Sequence, residues 1–269
     1  VRLKSGNLTP AHAMIAQMNL LLHGLEYPDI TYGNSLARKV TEIGDRDRVD
    51  VILTNPPFGG EEEAGIKNNF PADKQTSETA LLFLQLIMRL LKRPEKNNGK
   101  PGRGAVVVPN GTLFGDGVCA RIKEELLKAF NLHTIVRLPN GVFAPYTSIP
   151  TNLLFFDRSG PTKQIWYYEL PLPEGRKNYT KTKPIQFEEF ADCIKWFGKK
   201  RRDENDFAWK VPIEDVLKYG EDGSLHSANL DIKNPNSQEA LEHLPPETLA
   251  ADILDKERQI IEIMEEIQV

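Results

Sequence analysis

Two short, largely apolar runs, each stopped by proline, constrain the fold of this chain more than any other feature. Val49 to Thr54 reads VDVILT and meets Asn55-Pro56-Pro57, and Ala105 to Val108 reads AVVV and meets Pro109. Short runs rich in β-branched residues favour strands, and proline, with no amide proton and a fixed φ, ends a central ladder. Helical patterns stand between such runs. Residues 11–23 carry Ile15, Met18 and Leu22 at helical spacing and stop at Gly24. Residues 77–92 carry Leu81, Leu82, Leu84, Ile87, Met88 and Leu91, and an amphipathic pattern over 118–130 follows the turn Gly115-Asp116-Gly117. Residues 29–32 form a short extended run before Gly33-Asn34, and 133–138 and 151–156 read as two more strands. Only Pro139 to Pro150 joins those last two, which is short for a crossover helix and predicts an antiparallel hairpin. The chain is therefore expected to be α/β, with a mostly parallel sheet ending in a hairpin.

Composition narrows the function classes. Of 269 residues, 40% are hydrophobic and 27% charged, which is ordinary for a globular protein with its own core. No run approaches the roughly 18 apolar residues of a membrane span, and the opening Val1-Arg2-Leu3-Lys4 has no signal-peptide core. Two cysteines, Cys119 and Cys193, suffice neither for a disulfide framework nor for a four-ligand zinc site, and a cytoplasmic location is expected. His12, His23, His133, His226 and His243 are scattered and show no metal-ligand spacing. A net charge of −4 argues against a protein that coats nucleic acid, but leaves room for a DNA enzyme with a local basic footprint.

From about residue 160 proline and lysine become frequent, aromatic residues interleave with them, and periodicity fades. The expected division is 1–160, an irregular basic and aromatic extension at 161–245, and an amphipathic helix at 246–269. In that helix Leu249, Ile253, Lys256, Ile260, Ile263 and Ile267 step by four and three, a heptad seam that packs on its own domain or on a partner. Two basic stretches, Arg176 to Lys183 and Lys195 to Arg202, are either phosphate-holding surfaces or solvated faces.

Asn55-Pro56-Pro57-Phe58 carries the most chemistry. Ligands of open α/β sheets bind outside the carboxyl ends of strands, and this tetrapeptide sits at one. An exocyclic amine on an aromatic ring is a weak nucleophile because its lone pair is delocalised. Two acceptors aimed at its hydrogens favour a pyramidal, more nucleophilic nitrogen. The Asn55 side-chain carbonyl and the Pro56 backbone carbonyl are the candidate acceptors, held by a backbone that the prolines restrict. Phe58 is placed to stack on the ring. A simple strand-ending turn is the alternative reading of the same four residues.

The tetrapeptide resembles motif IV of the S-adenosylmethionine-dependent amino-group methyltransferases. Its wider context resembles the modification subunit of type I restriction-modification systems. The matching stretches are MNLLLHGLEYPDITYGNSL (18–36), DVILTNPPFGGEEE (50–63), ETALLFLQLIMRLLK (78–92), GRGAVVVPNGTLFGDG (102–117) and LHTIVRLPNGVFAPYTSIPTNLLFF (132–156). The resemblance implies a Rossmann-like methyltransferase sheet and transfer of a methyl group from S-adenosylmethionine to adenine N6 in DNA. It implies Asn55, Pro56, Pro57 and Phe58 as the catalytic adenine site, with Phe143 helping to hold the flipped base. It places Asn34, Ser35 and Leu36, with Asn55, at the cofactor. It further implies a specificity subunit and an endonuclease subunit as partners, with residues 246–269 suited to packing on the former.

The family's glycine-rich cofactor loop has no counterpart before residue 11, nor has the acidic residue that binds the cofactor ribose. The chain is thus expected to be a piece of a longer protein, with residues 1–160 the C-terminal part of its catalytic domain. The strand at 29–32 is expected to lack a neighbour, and 49–54 to be an exposed edge open to self-association. A non-catalytic scaffold that binds DNA and partner subunits is the second reading. A protein glutamine-N5 methyltransferase, which shares the Asn-Pro-Pro start, is the third.

Overall fold

A computed structural model describes residues 2–4, 10–31, 33–58, 64–236 and, near the C-terminus, 254, 256–258 and 264. The chain begins with β1 (Arg2–Lys4), α1 (Pro10–Leu22) and β2 (Asp29–Thr31). β1 pairs in parallel with β2, with Leu3 opposite Ile30. This corrects the expectation that the strand at 29–32 has no neighbour. Three residues, two of them basic, carry no periodic signal, yet their backbone groups suffice for a short ladder.

Next come β3 (Val51–Thr54), α2 (Ala64–Lys67), α3 (Thr79–Leu90), β4 (Arg103–Pro109), α4 (Gly111–Phe114) and α5 (Val118–Ala129). They are followed by β5 (Asn131–Arg137), β6 (Thr151–Asp157), β7 (Gln164–Glu169), α6 (Ala191–Phe197) and β8 (Ala208–Pro212). α7 (Ile213–Val216) leads into a small hairpin of β9 (Leu217–Tyr219) and β10 (Leu225–Ala228). The main sheet has six strands in the order β3-β4-β6-β5-β7-β8. β3, β4, β5 and β7 run one way, while β6 and β8 run against them. The α/β class and the hairpin between the strands at 133–138 and 151–156 are as the sequence predicts.

Side chains alternate across this sheet and build a layer on each face. On one, Val106, Val108, Leu154, Ile135 and Tyr167 meet Leu84, Met88, Ile122 and Leu126 of α3 and α5. The Phe156 ring fills the space over Gly104, where a Cβ would lie 2.9 Å from its Cζ, and meets Phe130 edge-on at 5.7 Å. On the other face Val136, Tyr168 and Trp196 pack with Phe155, Trp166 and Phe197.

The sheet therefore crosses the expected boundary at 160. Segment 161–245 is not an irregular extension throughout, because β7 and β8 complete the sheet and α6 helps to cover it. β7 sends Ile165 and Tyr167 to one layer and Trp166 and Tyr168 to the other. With apolar groups on both faces it shows no polar alternation, and the surrounding lysines and prolines dominate the local composition. β3 is an edge strand among the described residues, with Leu53 76% and Val51 45% exposed. The heptad seam at 249–267 lies almost wholly outside the described residues, of which Lys256 is helical.

The join between α5 and β7 rests on buried Thr162. Its hydroxyl donates to the Phe130 carbonyl at 2.7 Å and accepts the Leu132 amide at 2.8 Å, while its own amide donates to Leu127. Thr162→Val keeps the shape but leaves one donor and one acceptor unpaired. It is expected to cost about 1–3 kcal/mol, read as a lower urea midpoint with unchanged slope.

Candidate active site

The site lies at the carboxyl ends of β3 and β4. These strands are parallel, Thr54 lying opposite Val106, and both end at proline-containing turns. After Thr54 the chain places Asn55 exposed, Pro56 buried, Pro57 exposed and Phe58 half-buried. Pro56 thus anchors the turn, and the Asn55 side chain stands at its accessible side. Asn110, the first residue after β4, stands at the N-cap position of α4 but turns its groups outward: its amide N–H donates to Pro150 at 2.8 Å, and its side-chain oxygen accepts the Asn152 side-chain amide at 3.1 Å.

Those two bonds dock the end of the loop 139–150 beside the ends of β3 and β4. The same loop carries Phe143, whose ring meets Phe58 edge-on with centroids 4.9 Å apart and planes at 74°. Two residues that lie 85 positions apart in the chain are thereby brought together (143 − 58). Each is half-buried, so the pair is reachable from solvent. Edge-to-face rings of this kind contribute about 0.5–1.5 kcal/mol beyond the area they bury.

Asn34, Ser35 and Leu36 form a turn after β2. The Asn34 side-chain oxygen accepts the Leu36 amide at 2.8 Å, and the Leu36 carbonyl accepts the Asn69 side chain at 2.9 Å. Leu36 is wholly buried in a second cluster with Val40, Ile43, Phe70, Leu82, Phe83 and Leu86. It anchors this turn as Pro56 anchors the other. The Ser35 hydroxyl is buried with no hydrogen-bond partner among the described residues. Such a group costs free energy unless something else engages it. This turn and the 55–58 turn follow strands of two different sheets.

A clamp behind the loop carries no obvious sequence signal. Tyr179 is buried, and its amide N–H donates to the Asn140 carbonyl at 3.1 Å. Its hydroxyl donates to Glu189, and the Arg176 guanidinium stands 5.5 Å from its ring centroid. Burial, and then the Glu189 bond, push the phenol up to about 12. Gly141, at φ +78°, packs so closely that a Cβ would lie 2.3 Å from the Tyr179 carbonyl oxygen. Tyr179 and Arg176 belong to a stretch legible only by its charge.

The second basic stretch turns partly inward. Arg202 donates to Thr134 Oγ1 at 2.6 Å and lies 4.6 and 5.0 Å from the ring centroids of Phe197 and Trp196. Trp196 Nε1 donates to the Asp203 carbonyl at 3.0 Å. With its bond to Thr134 and its plane against Trp196 and Phe197, this guanidinium serves the fold, and burial lowers its pKa. His133, half-buried beside Thr134, also has its pKa lowered by desolvation, and His23 bonds the Asn19 carbonyl on α1. Neither lies in the 55–58 and 139–150 cluster.

A mixed sheet with this strand order and an Asn-Pro-Pro-Phe turn at a strand end has the S-adenosylmethionine-dependent methyltransferase fold. The EcoKI modification subunit shares it, at a TM-score of 0.61 and 24% identity over 98% of this chain and 59% of that one. The chain belongs to the N-6 DNA methylase family, whose model matches residues 6–242. It is 51% identical to the methylase subunit of the type I restriction enzyme EcoEI of Escherichia coli over 88% of this chain and 46% of that protein. A solved modification subunit, assigned to a type I restriction enzyme of Vibrio vulnificus YJ016, superposes with a TM-score of 0.84 at 64% identity. That match covers 88% of this chain and 49% of the other. The chain thus spans about half the length of these relatives.

Gly141→Ala tests the clamp. The residue would be strained at positive φ by ~1–2 kcal/mol and would also collide with the Tyr179 carbonyl. Amide exchange at Tyr179, whose N–H is held by Asn140, is expected to accelerate, while exchange in β4 and β6 stays as before.

Proposed function

We propose that this chain forms the target-base side of a DNA adenine-N6 methyltransferase, working as the modification subunit of a type I restriction-modification system. The observation that carries this reading is the meeting of Phe58 and Phe143 beside Asn55, at the carboxyl end of β3. An adenine inside a duplex is inaccessible to such a turn, so the base must leave the stack. Phe58 and Phe143 offer it an aromatic face and edge in place of its neighbours. The Asn55 side-chain oxygen and the Pro56 carbonyl accept the two N6 hydrogens, turning the lone pair out of conjugation and towards the incoming carbon. Neither acceptor is charged, so this role does not depend on a group titrating near neutral pH.

Bound S-adenosylmethionine supplies the electrophilic methyl group. The residues at 34–36 fit such a ligand in one specific respect: the Ser35 hydroxyl is buried without a hydrogen-bond partner among the described residues, and a ligand's polar edge would pair it. Asn34 shapes the turn and Leu36 pins it to the core, and in this reading Asn55 completes the cofactor side of the site. In this reading DNA is the substrate, and a specificity subunit chooses the sequence. An endonuclease subunit completes the system, and residues 246–269 pack on the specificity subunit. The kinship with type I methylase subunits supports these assignments.

Two measurements test the reading in the assembled methyltransferase that contains this chain. Asn55→Ala is expected to lower the turnover of adenine methylation by about 10²–10³-fold, the effect of removing one preorganised polar group from a transition state. Retained methylation would remove Asn55 from the chemistry. Ser35→Ala is expected to weaken S-adenosylmethionine binding about tenfold by calorimetry, in line with one lost hydrogen bond, while leaving the KM for DNA unchanged.

A further inference from the structure

The loop 139–150 and the segment 178–181 enclose a cleft of about 510 Å³. Thr147 and Ser148 present hydroxyls from the loop, and Asn178, Thr180 and Lys181 line the other wall. Ala144, Pro145 and Pro150 supply apolar surface, and among the described residues no acidic side chain lines the cleft. Hydroxyls and amides around one cation form the donor set that phosphodiester oxygens take, and apolar surface suits the sugar between them. A carboxylate here would repel that ligand.

The position of the cleft points the same way. Gly141 and Ala144 line it, and Phe143 lies between them in the chain, with its ring against Phe58. A strand whose base lies at Phe143 therefore continues beside the cleft. The walls are also fixed in advance. The Tyr179 amide bonds the Asn140 carbonyl, and Gly141 packs on the Tyr179 backbone with no room for a side chain. Arg176 is engaged with the Tyr179 ring and lies 3.9 Å from Glu189, so among the described residues Lys181 is the cation that lines the cleft.

We propose that this cleft seats the sugar-phosphate backbone immediately flanking the extruded adenine, with Lys181 holding one phosphate. The proposal rests on the reading of the chain as an adenine-N6 methyltransferase, and adds to it a seat for one flank of the substrate strand. Contacts of this kind position the strand without reading its sequence.

The test uses the assembled methyltransferase and unmethylated genomic DNA, with initial rates measured over a range of salt concentrations. Lys181→Ala is expected to raise the KM for DNA about three- to tenfold and to reduce the slope of log KM against log salt by about 0.9, the signature of one lost phosphate contact. Turnover is expected to stay within about twofold, as for a group that binds ground and transition states alike. Lys177→Ala, a change in the same basic stretch but outside the cleft, is the comparison and is expected to shift KM and slope less. Equal shifts from the two variants would mean a diffuse basic surface and would overturn the seat, as would an unchanged KM and slope for Lys181→Ala. If the unsubstituted assembly methylates no adenine in that DNA, the functional reading fails first and the seat falls with it. The two failures are therefore separable.

Discussion

The antiparallel seating of β6 between β4 and β5 is the constraint on which the site depends. Its register with β4 runs unbroken through seven pairs, from Arg103 opposite Asp157 to Pro109 opposite Thr151. Because β6 starts where β4 ends, the chain leaving β5 must return to the sheet at the carboxyl end of the parallel strands. That forces the loop 139–150 to the edge where Asn55 already stands. A parallel β6 would require a crossover and would bring its connection in at the opposite end. The meeting of Phe58 with Phe143 is thus a consequence of strand direction, made specific by the Asn110–Pro150 and Asn110–Asn152 bonds at the corner.

The floor beneath this corner is held by buried polar bonds. Lys123 of α5 is fully buried, and its ammonium donates to the Leu113 carbonyl at 2.8 Å. Burial lowers its pKa, so the bond is made by a group that the interior disfavours as a cation. The same carbonyl also accepts the Leu230 amide, and the Leu230 carbonyl accepts the Tyr167 hydroxyl at 3.0 Å. Residues 229–232 are in this way laced to α4 and to β7. The short helix after β4 would otherwise end with open carbonyls, and here one of them takes two donors. The turn that receives Pro150 is therefore fixed from the helix layer as well as from the sheet.

The sequence was most legible where one physical cause acted alone. β3 and β4 end at prolines, α3 and α5 carry clear apolar stripes, and the thirteen-residue link between β5 and β6 left little choice but a hairpin. Phe58 and Phe143 were both legible as site residues from the resemblance, but their contact is tertiary and has no local pattern. β7 and β8 were hidden because each packs apolar groups on both faces: Trp166, Tyr168 and Ala208 on one, Ile165, Tyr167, Trp209 and Val211 on the other. Charge reading failed in a similar way at Arg176 and Arg202. Each side chain lies against aromatic rings, a use of the guanidinium plane that a count of basic residues does not distinguish from phosphate binding. β1 escaped notice because three residues are too few for any period.

The buried polar atoms that lack hydrogen bonds separate fold from function. Arg48 Nε lies 3.3 Å from Asp45, and Asp231 Oδ1 lies 2.6 Å from Arg137, so each has a charge to offset its burial. Arg176 Nη1 is 3.9 Å from Glu189, and the Trp209 indole is stacked on Tyr167 at 5.3 Å. Ser35 is different in kind. Among the described residues it has no hydrogen-bond partner, and its turn is held by the Asn34–Leu36 bond and by the Leu36 carbonyl bonded to Asn69. A folded chain tolerates an unpaired buried hydroxyl at a rigid strand end when something outside the fold pairs with it. Asn55, the first residue of the other anchored turn, differs in being exposed to solvent. Both turns combine a buried anchor, Leu36 or Pro56, with an adjacent polar side chain. That division of labour suits a site that must accept two ligands without rearranging its core.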